Sequence, residues 1–534
     1  MGKLRKGGGV GSRFKLGRAG ALTIILIGVT ALFVAYFYLR VPSARLLVLG
    51  TVSVVILAAS FLCYRVLGKS DTALFAQRVF PVLLLVIASI FTVFSPAGAV
   101  PDEHYHFFRS YEYANVMTFQ QEDVVRSEDL SLFQTQNGIL DGSTDYAHWS
   151  RIEAGLLDGQ VLSGETSLQN ERGIFGQAHD PLDISANGPQ LKVPSAMGII
   201  FAKALGVDAI LLFYLGRFAN MLYAALLIIF AVRITPVGRN VFMAAALLPI
   251  TLQQIGSYSY DAATIGLAFL LTALLLNAIC GEGKIRVRTL VGIAIVGCLL
   301  APCKVIYTAI LLLVFFIPKE RFTSNRACVL FKGGALLLAF AMIVAFRMSS
   351  VGSLAQSSGG GGSRGAEHGT FYSLNDVLAH PRNSFIVIMN SLFANGGFYL
   401  SSTVGGNPGT LQPNLALPAF AWLSILFALL LSGVRSIDDD RVLSGWCRIV
   451  SIFAALLACA GAILSMWLGW TFNTEPVIQG VQGRYFLPVI PLLLIGMRGK
   501  VLSADANMGF PVVAAMSSID FLYLCYVLAA AMQM

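Results

Sequence analysis

The sequence predicts an all-α integral membrane protein, a multi-span helical bundle of about thirteen transmembrane helices with a large first extracytoplasmic loop. Three observations carry that prediction. Of 534 residues, 56% are hydrophobic and only 12% charged, where a soluble domain averages about 25% charged. Many separate apolar runs approach the roughly 20 residues that cross a bilayer. Lysine and arginine gather in the short loops between those runs, which is the positive-inside pattern. Topology thus accounts for the net charge of +9, and no nucleic-acid partner is expected.

The elements follow in order. Residues 1–18 form a basic tail placed in the cytoplasm. The run 19–39 is long for a signal-peptide core and lacks a small-residue cleavage site, so it is read as span one. Span two covers 46–67 and span three 79–98, so that 19–98 holds three spans and exits outside. The interval 99–206 is the large outer loop. Its short apolar pieces suit small strands or turns, and it closes in a proline-bounded approach and an interfacial helix near 187–206.

Residues 207–347 carry spans four to nine. Span four is 207–232, span five 241–256 and span six 260–280. The run 289–318 is too long for one ordinary helix and has basic flanks on both sides, so it is read as a hairpin of two short spans turning near Ala301-Pro302. Span nine is 328–347. A second outer segment, 348–414, contains a flexible glycine run at 357–363 and a re-entrant or interfacial helix at 384–399. Spans ten to thirteen fill 415–534, at 415–434, 449–470, 485–497 and 510–532. All eight cysteines lie in or beside apolar runs, which suits core residues and gives no CxxC metal pattern.

The stretch 101-PDEHYHFFRSYEYANV-116 opens the outer loop. Pro101 suits the first helical position and the acids suit the first turn. At helical spacing Asp102, His106, Arg109 and Tyr113 share one face, while Tyr105, Phe108 and Glu112 line another. The topology places further ionisable residues at the same membrane face: Asp261 at the start of span six, Lys304 at the start of span eight, and Arg484 with Tyr485 at the start of span twelve. Arg217 falls inside span four and must face protein or a cavity. Each has a plainer alternative: snorkelling for Lys304 and Arg484, an N-cap for Asp261, a structural ion pair for Arg217. All six histidines fall in outer segments, with His148, His368 and His380 suited to the surface. A divalent cation near Asp102 and Glu103 would draw on His104 and His106, but histidines two apart do not share a helix face.

Carboxylates and cations converging at a membrane surface fit the transfer of a sugar from a polyprenyl-phosphate donor. A carboxylate takes the acceptor's proton, and cations stabilise the leaving phosphate. The pieces 101-PDEHYHFFRSYE-112, 214-YLGRFANMLY-223, 248-LPITLQQIGSYSYDA-262, 304-KVIY-307 and 480-GVQGRYFLP-488 resemble a family of bacterial polytopic membrane proteins of unknown function, grouped with the GT-C superfamily of lipid-linked glycosyltransferases. The resemblance implies a GT-C-like bundle and an acidic catalytic base in the first outer loop, which maps to Asp102 with Glu103 as its neighbour. The expectation is therefore an inverting glycosyltransferase of the bacterial plasma membrane. Its N-terminus is cytoplasmic and its site faces outward. Its partners are a polyprenyl-phosphate-linked sugar, an envelope glycan or glycolipid acceptor, and the bilayer, and no cofactor is required. Asp102 and Glu103 are the catalytic candidates. Lys304, Arg484, Asp261, Arg217, His106, Arg109 and Tyr485 are the donor-phosphate and substrate-binding candidates. A lipid-linked glycan polymerase and a flippase or transporter of envelope precursors are the alternatives.

Overall fold

The computed structural model describes residues 72–95, 100–121, 124–126, 129, 134–135, 138–139, 165–167, 189–356, 370–407, 417–437, 439–499, 503–504 and 508–532. The basic tail, spans one and two, the glycine run 357–363, and His148, His179 and His368 lie outside them.

The third predicted span is helix α1, Thr72–Phe94. Helix α2, Glu103–Met117, carries the opening motif. It starts two residues after the expected Pro101, because Asp102 is its N-cap, in the left-handed conformation at φ 63°. The large loop contributes two short antiparallel ladders, β1 (Val124–Arg126) with β4 (Glu165–Ser167) and β2 (Gln134–Thr135) with β3 (Gly138–Ile139). The first ladder is tied to α2: the Asn115 amide donates to the Val124 carbonyl at 2.7 Å, and the Tyr111 hydroxyl donates to Asp129 at 2.7 Å. The proline-bounded approach is a 3-10 turn, Pro189–Leu191, followed by α3, Val193–Leu205.

Helix α4, Ala209–Ile234, is the centre of the packing and lies against α1, α3 and the helix that follows the SYSYDA stretch. That helix is α7, Asp261–Cys280, and it is almost wholly buried. Span five was expected as one helix over 241–256. It is two short helices, α5 (Arg239–Ala246) and α6 (Pro249–Ile255). Pro249 has no N–H to continue the ladder and forces Leu248 into extended backbone at φ −67°, ψ 134°.

The hairpin expected over 289–318 is present, with helix α8, Val287–Leu300, a turn through Ala301–Cys303, and a return arm over Val305–Phe316. The return arm is a 3-10 helix of 12 residues. At about 2.0 Å per residue it reaches about 24 Å, a third longer than the same chain as α-helix. Helix α9, Asn325–Gln356, follows, then the capped turn of helix α10, Leu374–Ala379. The expected 384–399 element is longer, as helix α11, Pro381–Thr403. It lies beside the irregular segment 476–483: the Ser391 hydroxyl accepts from the Ile478 N–H at 2.8 Å and Ser402 Oγ from the Gly483 N–H at 3.0 Å. Then come α12 (Ala419–Ser432), β5 (Arg435–Ser436), α13 (Gly445–Trp470), α14 (Ile490–Met497), β6 (Ser503–Ala504) and α15 (Gly509–Met532).

Among the described residues four helices are long and apolar enough to cross a membrane: Ala209–Ile234, Asp261–Cys280, Asn325–Arg347 and Gly445–Trp470. The other apolar helices of the bundle, such as Val287–Leu300 and Ala419–Ser432, are shorter. The Asn325–Arg347 stretch is mostly exposed, as the rim of a bundle facing lipid is. The described chain is thus predominantly helical and membrane-embedded in character.

One close approach sets the register of α11. A Cβ on Gly483 would overlap the Thr403 nitrogen and the Ser402 carbonyl carbon. Gly483→Ala is expected to destabilise the protein by about 1–3 kcal/mol through overpacking, read as a lower unfolding midpoint in detergent. An unchanged midpoint would show that the α11 contact gives way freely.

Candidate functional site

The acids at 102 and 103 separate because consecutive helical residues point about 100° apart. Glu103 turns inward and is fully buried with Arg217. Arg217 Nε meets Glu103 Oε1 at 2.8 Å and Nη2 meets Oε2 at 2.7 Å, a two-pronged pair. The other guanidinium arm, Nη1, donates to the carbonyls of Thr92 and Ser95 at 2.9 and 2.7 Å and so satisfies the end of α1. Glu103 Oε1 also accepts the Tyr258 N–H at 3.2 Å, and the Tyr258 hydroxyl donates to the Phe213 carbonyl at 2.9 Å. The guanidinium rests over the Phe213 ring at 4.7 Å. This knot joins α1, α2, α4 and the 256–260 turn. Its geometry is that of a structural ion pair for Arg217, and it leaves neither Glu103 nor Arg217 facing an open cavity.

Asp102 points the other way. Its side chain is 63% exposed, and its carboxylate lies 3.5 Å from Arg484 Nη2. As a left-handed N-cap it carries strain that only a few residue types tolerate, Asp and Asn among them. The buried neighbour at 103 holds that strain in place.

Asp261 binds two cations. Its Oδ1 lies 2.7 Å from Lys304 Nζ and its Oδ2 3.5 Å from Arg484 Nε, and its side chain is 5% exposed. Asp261 is the first residue of α7 and not its N-cap, which is Tyr260; its N–H is taken by the Ser259 hydroxyl at 3.2 Å, which in turn donates to Gln254 Oε1 at 2.6 Å. The Asp261 carboxylate is therefore left for the cations. The Tyr485 ring lies 4.4 Å from Lys304 Nζ and 5.4 Å from the Arg484 guanidinium, within cation–π range. Tyr307 fixes this segment from below by donating to the Tyr485 carbonyl at 2.7 Å. Residues from α2, α7, the return arm and the 483–485 turn thus meet at one place, although Asp102 and Arg484 are 382 positions apart.

His106 stands beside this group with its ring 3.6 Å from that of Tyr260. Burial first, and then the positive charges of Arg484, Lys192, His104 and Lys304, hold its pKa well below the ordinary imidazole value. The folded protein therefore keeps His106 neutral where the unfolded chain, titrating near 6.5, gains a proton. Stability from this residue is complete above about pH 6.5 and falls as pH drops below it, by up to about 1.4 kcal/mol per pH unit. His106→Gln is expected to flatten that slope in unfolding midpoints taken from pH 7 to pH 5. An unchanged slope would place the acid sensitivity elsewhere.

Arg109 is drawn away from the group. It pairs with Glu112 at 2.7 Å and lies 5.5 Å from the Tyr105 ring. Lys192 was not anticipated. It is 1% exposed, with Nζ 5.3 Å from the Tyr260 ring and 5.7 Å from that of Tyr113. Its signal in the sequence is a single cation between Leu191 and Val193 in the proline-bounded approach 187–194. Tyr260 and Tyr307 were also not singled out, because aromatic residues in apolar runs give no sign of which rings face a charge.

A divalent cation shared by Asp102 and Glu103 does not fit this arrangement, since Glu103 is committed to Arg217. Among the described residues no group of three or more His, Cys, Asp or Glu side chains is placed to hold a metal ion.

An apolar helical bundle with ionisable side chains gathered at one end of its helices defines a polytopic membrane protein with a polar site at one mouth of the bundle. The chain belongs to the DUF2142 family of predicted membrane proteins, which it matches over residues 83–493. No curated protein and no solved structure matches it.

Proposed function

We propose that the protein is a membrane glycosyltransferase of the GT-C type, with about thirteen spans, whose site faces outward across the bacterial plasma membrane. It moves a sugar from a polyprenyl-phosphate donor to a cell-envelope glycan or glycolipid. The observation that carries this reading is the open carboxylate of Asp102 beside Arg484, with Lys304 and Asp261 behind it. Lys304, Arg484 and Lys192 outnumber Asp102 and Asp261 there, which favours an anionic ligand.

In this scheme Asp102 accepts the proton of the acceptor hydroxyl. The acceptor oxygen bonds to the anomeric carbon as the carbon–oxygen bond to phosphate breaks. The polyprenyl phosphate leaves with the electron pair, and its charge is offset by Arg484 and Lys304. One displacement inverts the anomeric centre. Asp261 holds the two cations in position, and Tyr485 lies against both. Glu103 and Arg217 support the site from the protein interior without entering the reaction. A polymerase joining lipid-linked glycans would use the same chemistry. Transport of envelope precursors draws on a different residue, Asp520 in α15, which is buried with no hydrogen-bond partner among the described residues.

The test is the purified protein in nanodiscs, offered radiolabelled polyprenyl-phosphate sugars and membrane glycolipid acceptors. Sugar transfer by the wild type, and its loss in Asp102→Asn, is the expected result. Counterflow of lipid-linked precursor without any transfer would replace the reading with transport.

A further inference from the structure

A second cationic site lies at the opposite end of the bundle. Asp261 begins α7 and Asn277 is near its other end, about 24 Å along the helix axis. There a cavity of about 620 Å³ is lined by Arg233, Lys284, Arg286, Arg288 and Arg321, with Glu282 as an acidic neighbour. Among the described residues none of these five cations has a carboxylate within ion-pair distance.

Two of these cations are held in place. Arg321 donates to the carbonyls of Asn277 and Ala278 at 2.8 and 2.7 Å, which closes the end of α7. Lys284 donates to the carbonyl of Glu320 at 3.0 Å and to that of Phe322. Carbonyls satisfy the hydrogens of these groups but leave their net charge in place. Arg286 and Arg288 form the exposed rim, and among the described residues neither side chain has a hydrogen-bond or ion-pair partner. The N-terminus of α8 opens on the same cavity, and Arg286, its N-cap residue, makes no side-chain cap.

An apolar track leaves the rim. Val287, Val291 and Ile295 are all exposed and spaced four apart, so they form one stripe running down α8 from the cations. A free phosphate or a nucleotide has no use for such a stripe. A phospholipid does: its head enters the cavity and an acyl chain follows the helix.

We propose that this cavity is a binding site for the headgroup of an anionic glycerophospholipid, with one acyl chain along Val287, Val291 and Ile295. Arg286 and Arg288 grip the phosphate, and Lys284 and Arg321, held by backbone carbonyls, supply a fixed positive field beside it. The site is independent of the reaction at the other end of the bundle and stands whichever reaction that is.

The test uses the full-length protein, delipidated in detergent and titrated with phosphatidylglycerol or phosphatidylcholine by native mass spectrometry. The wild type is expected to retain and rebind phosphatidylglycerol in preference to phosphatidylcholine. Arg286→Gln/Arg288→Gln is expected to bind phosphatidylglycerol about thirtyfold more weakly, with phosphatidylcholine binding unchanged. Equal binding of the two lipids by the wild type overturns the proposal, as does an unchanged affinity in the double variant. Competition by soluble glycerol phosphate as strong as by whole lipid would also overturn it, by assigning the cavity to a free anion. The wild-type comparison stands even if the double variant fails to fold.

Discussion

Asp102→Asn is expected to lower sugar transfer by about 10²–10⁴-fold, the usual worth of a positioned general base, while leaving the unfolding midpoint unchanged. Two features make the substitution clean. The side chain is 63% exposed and takes no part in the Glu103–Arg217 knot, so little packing depends on its charge. The residue sits at φ 63°, where asparagine is tolerated as well as aspartate, so the helix start keeps its shape. Donor binding should survive, because Lys304 and Arg484 remain held by Asp261. The measurement is single-turnover transfer beside a donor-binding isotherm. A fall in the chemical step with an unchanged isotherm supports the base assignment, and wild-type transfer by the variant sinks it.

Arg217→Met should cost about 3–5 kcal/mol of stability, as removal of one partner from a buried ion pair does. The change leaves Glu103 buried without its counter-ion and strips the Thr92 and Ser95 carbonyls of their donor. The effect should appear in thermal unfolding in detergent. The double variant Arg217→Met/Glu103→Leu is expected to recover part of the loss, since it removes both charges together. If Arg217→Met unfolds like the wild type and loses donor binding instead, the residue belongs to the substrate site after all.

Much of the fold was legible because hydropathy is a local property. The helices at 209–234, 261–280 and 445–470 fall within a few residues of their expected spans. The turn at 301–303 was legible from basic flanks on both sides of one long apolar run. The misses have two different causes, one local and one long-range. Span five breaks because Pro249 interrupts it, a signal overridden by the apolar run around it. The length of α11 depends on contacts with 476–483, some eighty residues further along.

The candidate site divides in the same way. Charge placement along the chain brought Asp102, Asp261, Lys304 and Arg484 to one membrane face, and the structure brings their side chains within 3.5 Å of one another in succession. Sequence also raised both readings of Arg217 without a means to choose between them. That choice needed its partner, which lies 114 positions away. Nor does spacing tell which of two adjacent acids turns inward, because that depends on what packs against each face of the helix.

By itself, then, the sequence determined that this is a helical membrane protein, and it led to the expectation that Asp102, Asp261, Lys304 and Arg484 gather at one end of the bundle. Water-to-lipid transfer is strong enough to be read residue by residue, so no tertiary contact was needed for that. Only the tertiary structure decided that the 101-PDEHYH-106 stretch holds two acids with different fates. Glu103 is locked to Arg217 because a buried carboxylate must find a counter-ion, and that pairing leaves Asp102 open beside Arg484.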